Sequence, residues 1–336
     1  MKNNMRFTSI VLTVIIFIAL FRSGYSATDC AELLEKHGDF KETTKGADIK
    51  LQIDFGAENL SILKDKYELD KIAGTGDDLS QALNLLFWLH KYTYHNGIYD
   101  GRILWNSLDL LEYSFNQGSK HAINCRALSI ILTECLLSIG LPARTVYIIP
   151  YSPQDLDNHV VTHVFIATLD KWIMLDPTWC SYFKDVDGNI LDLFEIRTLL
   201  ADGKEVLLNP EFGYNGSLYI TNKRQVTRYK NYIAKDLFYF TTHENSTFGA
   251  ANSGRTLIIC PTDFNLFEWQ IQNAEYRLKC QMPMQYLIPA LRDKTYQESL
   301  ARIENARTAA LEKENPEDIF LFLSREDFLA KPQLGK

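Results

Sequence analysis

Residues 125–139 read CRALSIILTECLLSI, and this stretch sets the architecture. Apolar side chains cover nearly the whole circumference of a helix built from it, so the helix must be buried on all sides. Gly140 stops it, and Pro142 lies just beyond. Upstream, Asp77-Asp78 caps residues 79–94 (LSQALNLLFWLHKYTY), where leucines and Trp88 recur at helical spacing and Trp88 reads as core packing. Residues 106–115 form a second helical stretch, ended by Asn116-Gln117-Gly118. Downstream, residues 144–149 (RTVYII), 160–168 (VVTHVFIAT) and 172–175 (WIML) are short and rich in β-branched and aromatic residues, which predicts strands, with Leu169-Asp170-Lys171 as the last turn. Helices, a long buried helix and then an antiparallel sheet predict an α+β fold.

The chain opens with Lys2 and Arg6, an apolar run from Ile10 to Phe21 broken only by Thr13, and the small residues Ser23, Gly24, Ser26 and Ala27. That order predicts a signal peptide at residues 1–26 and a secreted or periplasmic protein. A twelve-residue run falls short of the roughly 20 residues of a bilayer span, so no stable membrane insertion is expected after cleavage. Cleavage removes Lys2, Arg6 and Arg22 and takes the formal charge from −7 to −10, which argues against nucleic acid as a partner. The six cysteines are scattered and include no CxxC pair, so neither a dense disulfide framework nor structural zinc is expected. Cys135, inside the apolar run, reads as an inert buried thiol.

Around the central helix, residues 28–78 read as an N-terminal α/β segment with a strand at 48–55 (DIKLQIDF), and residues 79–205 as the core. The turn Asp185-Val186-Asp187-Gly188-Asn189 lacks the later acidic ligand of a calcium loop, and residues 193–200 form a short helix. Residues 206–336 read as a mixed C-terminal extension. Residues 229–240 are expected as an amphipathic helix, 255–259 as a strand and 296–313 as a solvated helix, while 316–328 alternates acids with Phe and Leu.

Three fragments carry chemistry together. Asn124-Cys125 places a thiol at the start of the buried helix, where the dipole favours thiolate and the first-turn N–H groups can bind an oxyanion. Asp157-Asn158-His159 opens a strand and supplies an imidazole to take and return the proton. Asp176-Pro177-Thr178 closes the next strand and supplies a carboxylate to hold the imidazole. His163 is a second histidine on the same strand face. If Thr168-Leu169 is the turn centre, Asp176 faces Val161 with His159 as its diagonal neighbour; if Leu169-Asp170 is, Asp176 faces His163. The two histidines, roughly 13 Å apart on a strand, cannot share one metal. Gln117 and Asn106 are candidate oxyanion side chains.

These fragments resemble the transglutaminase-like superfamily, a branch of the papain-like cysteine-enzyme fold. The resemblance rests on Asn124-Cys125-Arg126-Ala127, the helix end Ile139-Gly140-Leu141-Pro142-Ala143-Arg144, the strand His159-Val160-Val161-Thr162-His163-Val164-Phe165, Trp172 and Leu175-Asp176-Pro177-Thr178. It covers residues 80 to about 205, and Asp187-Gly188-Asn189 with Phe194-Glu195-Ile196-Arg197 look like extracellular bacterial members. It implies a nucleophile-bearing helix packed on an antiparallel sheet, with Cys125 as nucleophile, His159 as base and Asp176 as its orienter. His163 then stands where the family usually has Glu, and Val161 where it usually has Trp.

Two kinds of function follow. One is an exported cysteine enzyme that forms a thioester from an amide of a peptide, protein or cell-wall substrate and passes the acyl group to water or to an amine, with no cofactor and no metal. The other is an inactive transglutaminase-like domain serving as a surface binding or scaffold module.

Overall fold

The computed structural model describes residues 27–99, 101–252, 254–284, 297–298, 300–305, 308 and 315–332; the expected leader at 1–26 lies outside them. Helix α1 (Asp78–Tyr92) begins where Asp77 accepts a hydrogen bond from the Ser80 N–H, and α2 (Ser107–Ser114) where Asn106 accepts from Asp109 N–H. Helix α3 (Cys125–Ser138) is capped by Asn124, which accepts from Ala127 N–H, and every residue from Ala127 to Leu137 is buried. It ends at Gly140, whose φ of 84° lets the Gly140 and Leu141 N–H groups turn back to the Leu137 and Leu136 carbonyls.

Helix α3 packs on strands β1 (Ala143–Ile149) and β2 (His159–Ile166), which pair antiparallel, and β2 pairs in turn with β3 (Lys171–Leu175). The sheet is completed from outside residues 79–205. Helix α4 (Leu193–Ala201) starts at a capping box of Asp192 and Glu195, and α5 (Lys223–Asp236) follows a cap at Asn222. Strands β4 (Tyr239–His243) and β5 (Thr256–Ile259) then add to β1, giving the antiparallel order β3-β2-β1-β4-β5. This is the expected α+β arrangement.

The alternation of side chains splits the core. Val164, Ile166, Ile173 and Leu175 pack under α1, α2 and α3, whereas Val146, Ile148, Val161 and Met174 face α4, α5 and the C-terminal segment. Burying a large side chain in either layer contributes about 1.5–3 kcal/mol. Trp88 is packed against the first layer, its ring among Tyr67, Tyr92 and Phe115.

Several expectations need correction. The strand at 48–55 shrinks to Gln52–Ile53, paired parallel with Asn245–Ser246. The helix expected at 229–240 begins six residues earlier and ends at Asp236; Leu237 and Phe238, both fully buried, link it to a strand that starts at Tyr239 and carries the buried Phe240 into the sheet. Helix α6 (Leu266–Met284) was not anticipated. Within 296–313 the described residues 297–298, 300–305 and 308 are helical, and the remainder lie outside the description. In the final stretch, Ile258 exchanges backbone bonds with Leu321 and Leu323, and helix α7 (Arg325–Leu329) sinks Phe328 into the core. Asp185 accepts from the Asp187 and Asn189 N–H groups in a local turn. Among the described residues no helix is long and apolar enough to cross a membrane, and all six cysteines are free thiols.

The polar residue inside α3 has a measurable consequence. Glu134 accepts from the Ser107 N–H (2.8 Å) and hydroxyl (2.6 Å) and from Gly249 N–H (2.9 Å), yet burial pushes its carboxyl up to about 7 from an ordinary 4.5. A carboxyl raised in the folded state binds its proton more tightly there, so stability falls as pH climbs from the unfolded to the folded pKa. Urea denaturation should show a loss on the order of 3 kcal/mol across that window, absent from Glu134→Gln. An unchanged slope in the variant would refute this assignment.

Candidate active site

Cys125 is the first residue of α3 and half-buried. Its place is fixed from below by two backbone bonds, Ile123 N–H to the Tyr94 carbonyl (2.9 Å) and Asn96 N–H to the Ile123 carbonyl (2.8 Å). Because the Asn124 cap takes the Ala127 N–H, the N–H groups of Cys125 and Arg126 at the positive end of the helix are left for an incoming anion.

His159 opens β2, so its ring reaches past the end of the sheet. Its Nε2 lies 2.7 Å from Asp176 Oδ2. An ionised carboxylate only accepts, so Nε2 carries the proton and Nδ1 is the atom left for the Cys125 thiol, which lies near enough to raise the imidazole. The Tyr232 ring packs on it edge-on at 5.3 Å.

Asp176 is fully buried and saturated with donors. Tyr229 donates its hydroxyl to Oδ2 at 2.8 Å, while the Thr178 and Trp179 N–H groups donate to Oδ1 at 2.8 and 3.4 Å. Its own backbone exchanges two bonds with Ser181, closing the loop after β3. The register of β2 and β3 sets Thr162 opposite Leu175; one step further, Val161 stands opposite Asp176, and His159 is its diagonal neighbour. Of the two hairpin alternatives, this is the one centred on Thr168-Leu169.

Burial raises the Asp176 carboxyl, but the His159 charge and the hydrogen bonds outweigh it, and the pKa stays below the ordinary range. For His159 burial acts downward, and the Asp176 charge and bond, with Cys125, reverse it to a pKa well above the ordinary imidazole. Both shifts report one interaction.

His163 is elsewhere. Its ring is stacked between Trp172 (5.1 Å) and Phe328 (5.2 Å), with Arg144 donating to Nδ1 at 3.1 Å. Burial, then the Arg144 and Lys171 charges, hold it well below the ordinary value, so it is neutral. Val161 faces Val146 in the core. Neither oxyanion candidate survives: Asn106 is committed to capping α2 and to Asp109 Oδ2 (2.6 Å), and Gln117 is an exposed residue ahead of the turn Gly118–His121. The remaining buried thiols are held protonated, Cys135 well above its ordinary value and Cys30, Cys180 and Cys260 at about 11, 12 and 12, mainly by burial.

Sequence reasoning missed Tyr229 and Tyr232. Tyr229 and Tyr232 lie three apart on α5, one face of which contacts the site, but nothing in the helical pattern separates them from ordinary packing.

Residues 67–177 match the family model of the transglutaminase-like superfamily, so the stretch holding Cys125, His159 and Asp176 is a transglutaminase-like domain. The match starts at Tyr67, ahead of α1. Neither the curated proteins nor the solved structures give a match.

Proposed function

From that family assignment we propose that the protein is an exported cysteine enzyme that opens an amide through a thioester on Cys125. The observation that carries the reading is the row of the half-buried Cys125 and the buried His159 and Asp176, with one proton position fixed at Nε2. In the proposed reaction the thiol proton already rests on His159 Nδ1, and the Cys125 thiolate adds to the amide carbonyl. The same proton goes to the leaving nitrogen as the C–N bond breaks, and the thioester passes its acyl group to water or to an amine. Which acceptor wins depends on how well water is kept from the thioester. The substrates proposed are peptide, protein or cell-wall amides.

Intact-mass measurement after brief exposure to p-nitrophenyl acetate tests this. Wild type should gain one acetyl group, mapped to Cys125, and Cys125→Ala should gain none there. An unmodified Cys125 under conditions that acetylate the exposed Cys280 would favour a scaffold role. The same spectrum of secreted material should show a chain starting between Gly24 and Ala27; soluble protein starting at Met1 would refute export.

A further inference from the structure

The thioester chemistry leaves a second demand unmet. When sulfur adds to a carbonyl, the oxygen takes the electron pair, and the Cys125 N–H is one donor where a side chain can supply another. His95 is placed to do so. Its residue forms a parallel bridge with Ile123, two positions before Cys125, which sets its backbone roughly 5 Å from Ile123. Both sides of that backbone are clamped by one side chain: His95 N–H donates to Asn215 Oδ1 (2.7 Å), and Asn215 Nδ2 donates to the His95 carbonyl (3.1 Å). The imidazole Nδ1 lies 2.9 Å from the Tyr214 hydroxyl.

Two facts bear on the other ring nitrogen. Unlike the unpartnered ring nitrogens of His37, His163 and His243, Nε2 of His95 is not sealed from solvent, and among the described residues it has no partner. The ring also lies close enough to His159 and Asp176, both buried, to feel their charges. His95 is thus tied by its backbone to the segment that leads into Cys125 and by charge to the His159–Asp176 pair.

Resting on the cysteine-enzyme reading, we propose that His95 is a further residue of this site, a neutral imidazole that donates its Nε2–H to the oxyanion formed when Cys125 adds to a carbonyl. In the proposed arrangement Tyr214, whose phenol burial keeps protonated, donates its hydroxyl to Nδ1 and the ring hydrogen sits on Nε2. Burial first, and then the His159 charge, push His95 down to about 4, so the ring does not compete with His159 for the thiol proton. One imidazole is thus charged easily and the other with difficulty, which separates a base from a donor.

Two reagents isolate the step. Acetylation by p-nitrophenyl acetate passes through an oxyanion: sulfur adds, the carbonyl oxygen takes the electron pair, and the adduct collapses by expelling nitrophenolate. Alkylation by iodoacetamide does not, because sulfur displaces iodide at a methylene. Rates at Cys125 are read by peptide mass spectrometry on the full chain. His95→Ala should lower acetylation roughly 10²-fold while alkylation stays within about two-fold. His95→Gln, which keeps an N–H donor, should recover part of the loss, and Tyr214→Phe should show an intermediate loss confined to acetylation. Acetylation that is unchanged in His95→Ala, or that falls in parallel with alkylation, would overturn the proposal and leave His95 a structural residue. A wild-type Cys125 unreactive to both reagents would instead bring down the cysteine-enzyme reading, and this proposal with it.

Discussion

His159→Ala should slow iodoacetamide alkylation of Cys125 by on the order of 10²-fold or more near neutral pH, whereas His163→Ala should leave that rate within about two-fold of wild type. The two histidines share a strand and a face, so only their partners separate them. His159 is held by a carboxylate on one nitrogen and lies near enough to the Cys125 thiol to be raised by it. His163 is spent on Arg144 and on two aromatic faces. Its loss should appear as stability: emptying the stack between Trp172 and Phe328 should cost about 2–4 kcal/mol in urea denaturation. Peptide-resolved rates keep the exposed Cys280 separate from Cys125. The reverse pattern, with Cys125 silenced by His163→Ala alone, would overturn the assignment of the base.

Asp176→Asn should have the largest combined effect. The amide can present its N–H₂ to Nε2 and so stabilise the tautomer with the proton on Nδ1, facing sulfur, which should lower Cys125 reactivity by roughly 10³-fold. Breaking the buried pair should also cost about 3–5 kcal/mol. The pH dependence has a definite sign on each side. His159, raised in the folded state, contributes stability that is complete below its ordinary 6.5 and is lost as pH rises through its folded value. Asp176, depressed, contributes stability present above its ordinary 3.8 and lost as pH falls through its folded value. The gap between wild type and Asp176→Asn should therefore form a plateau that closes at both extremes, and a gap independent of pH would refute the ion pair. Tyr229→Phe, which removes one of four donors to the carboxylate, should cost only about 1–2 kcal/mol.

Much of this was legible in the chain because it is local. A fully apolar helix closed by Gly140, short β-branched strands, and Asp and Asn caps follow from neighbouring residues, and the fragments of the site lie at the ends of those elements. The hairpin alone left two registers open, because an aliphatic strand of period two buries equally well in either; packing of Val161 and Met174 against one layer and of Val164 and Ile173 against the other selects the one observed. What stayed hidden is set by distant partners. Tyr229 meets Asp176 across 53 residues and Asn215 meets His95 across 120, and neither contact has a periodicity to betray it. Strand β4 was missed for a related reason: it directly follows a helix, and Leu237 and Phe238 fit either continuation.

The position of α5 and β4 late in the sequence also gives the parts of the candidate site an order of arrival. As the chain emerges from the ribosome, residues 125, 159 and 176 appear well before Tyr229 and before the strand that extends β1. A nascent polypeptide stopped at residue 205 would hold all three side chains and only three of the five strands, with the carboxylate short of one donor. Contacts spanning so much of the chain form slowly. On the cysteine-enzyme reading, the Asp176 carboxylate would gain its full set of donors only once synthesis has passed Tyr229.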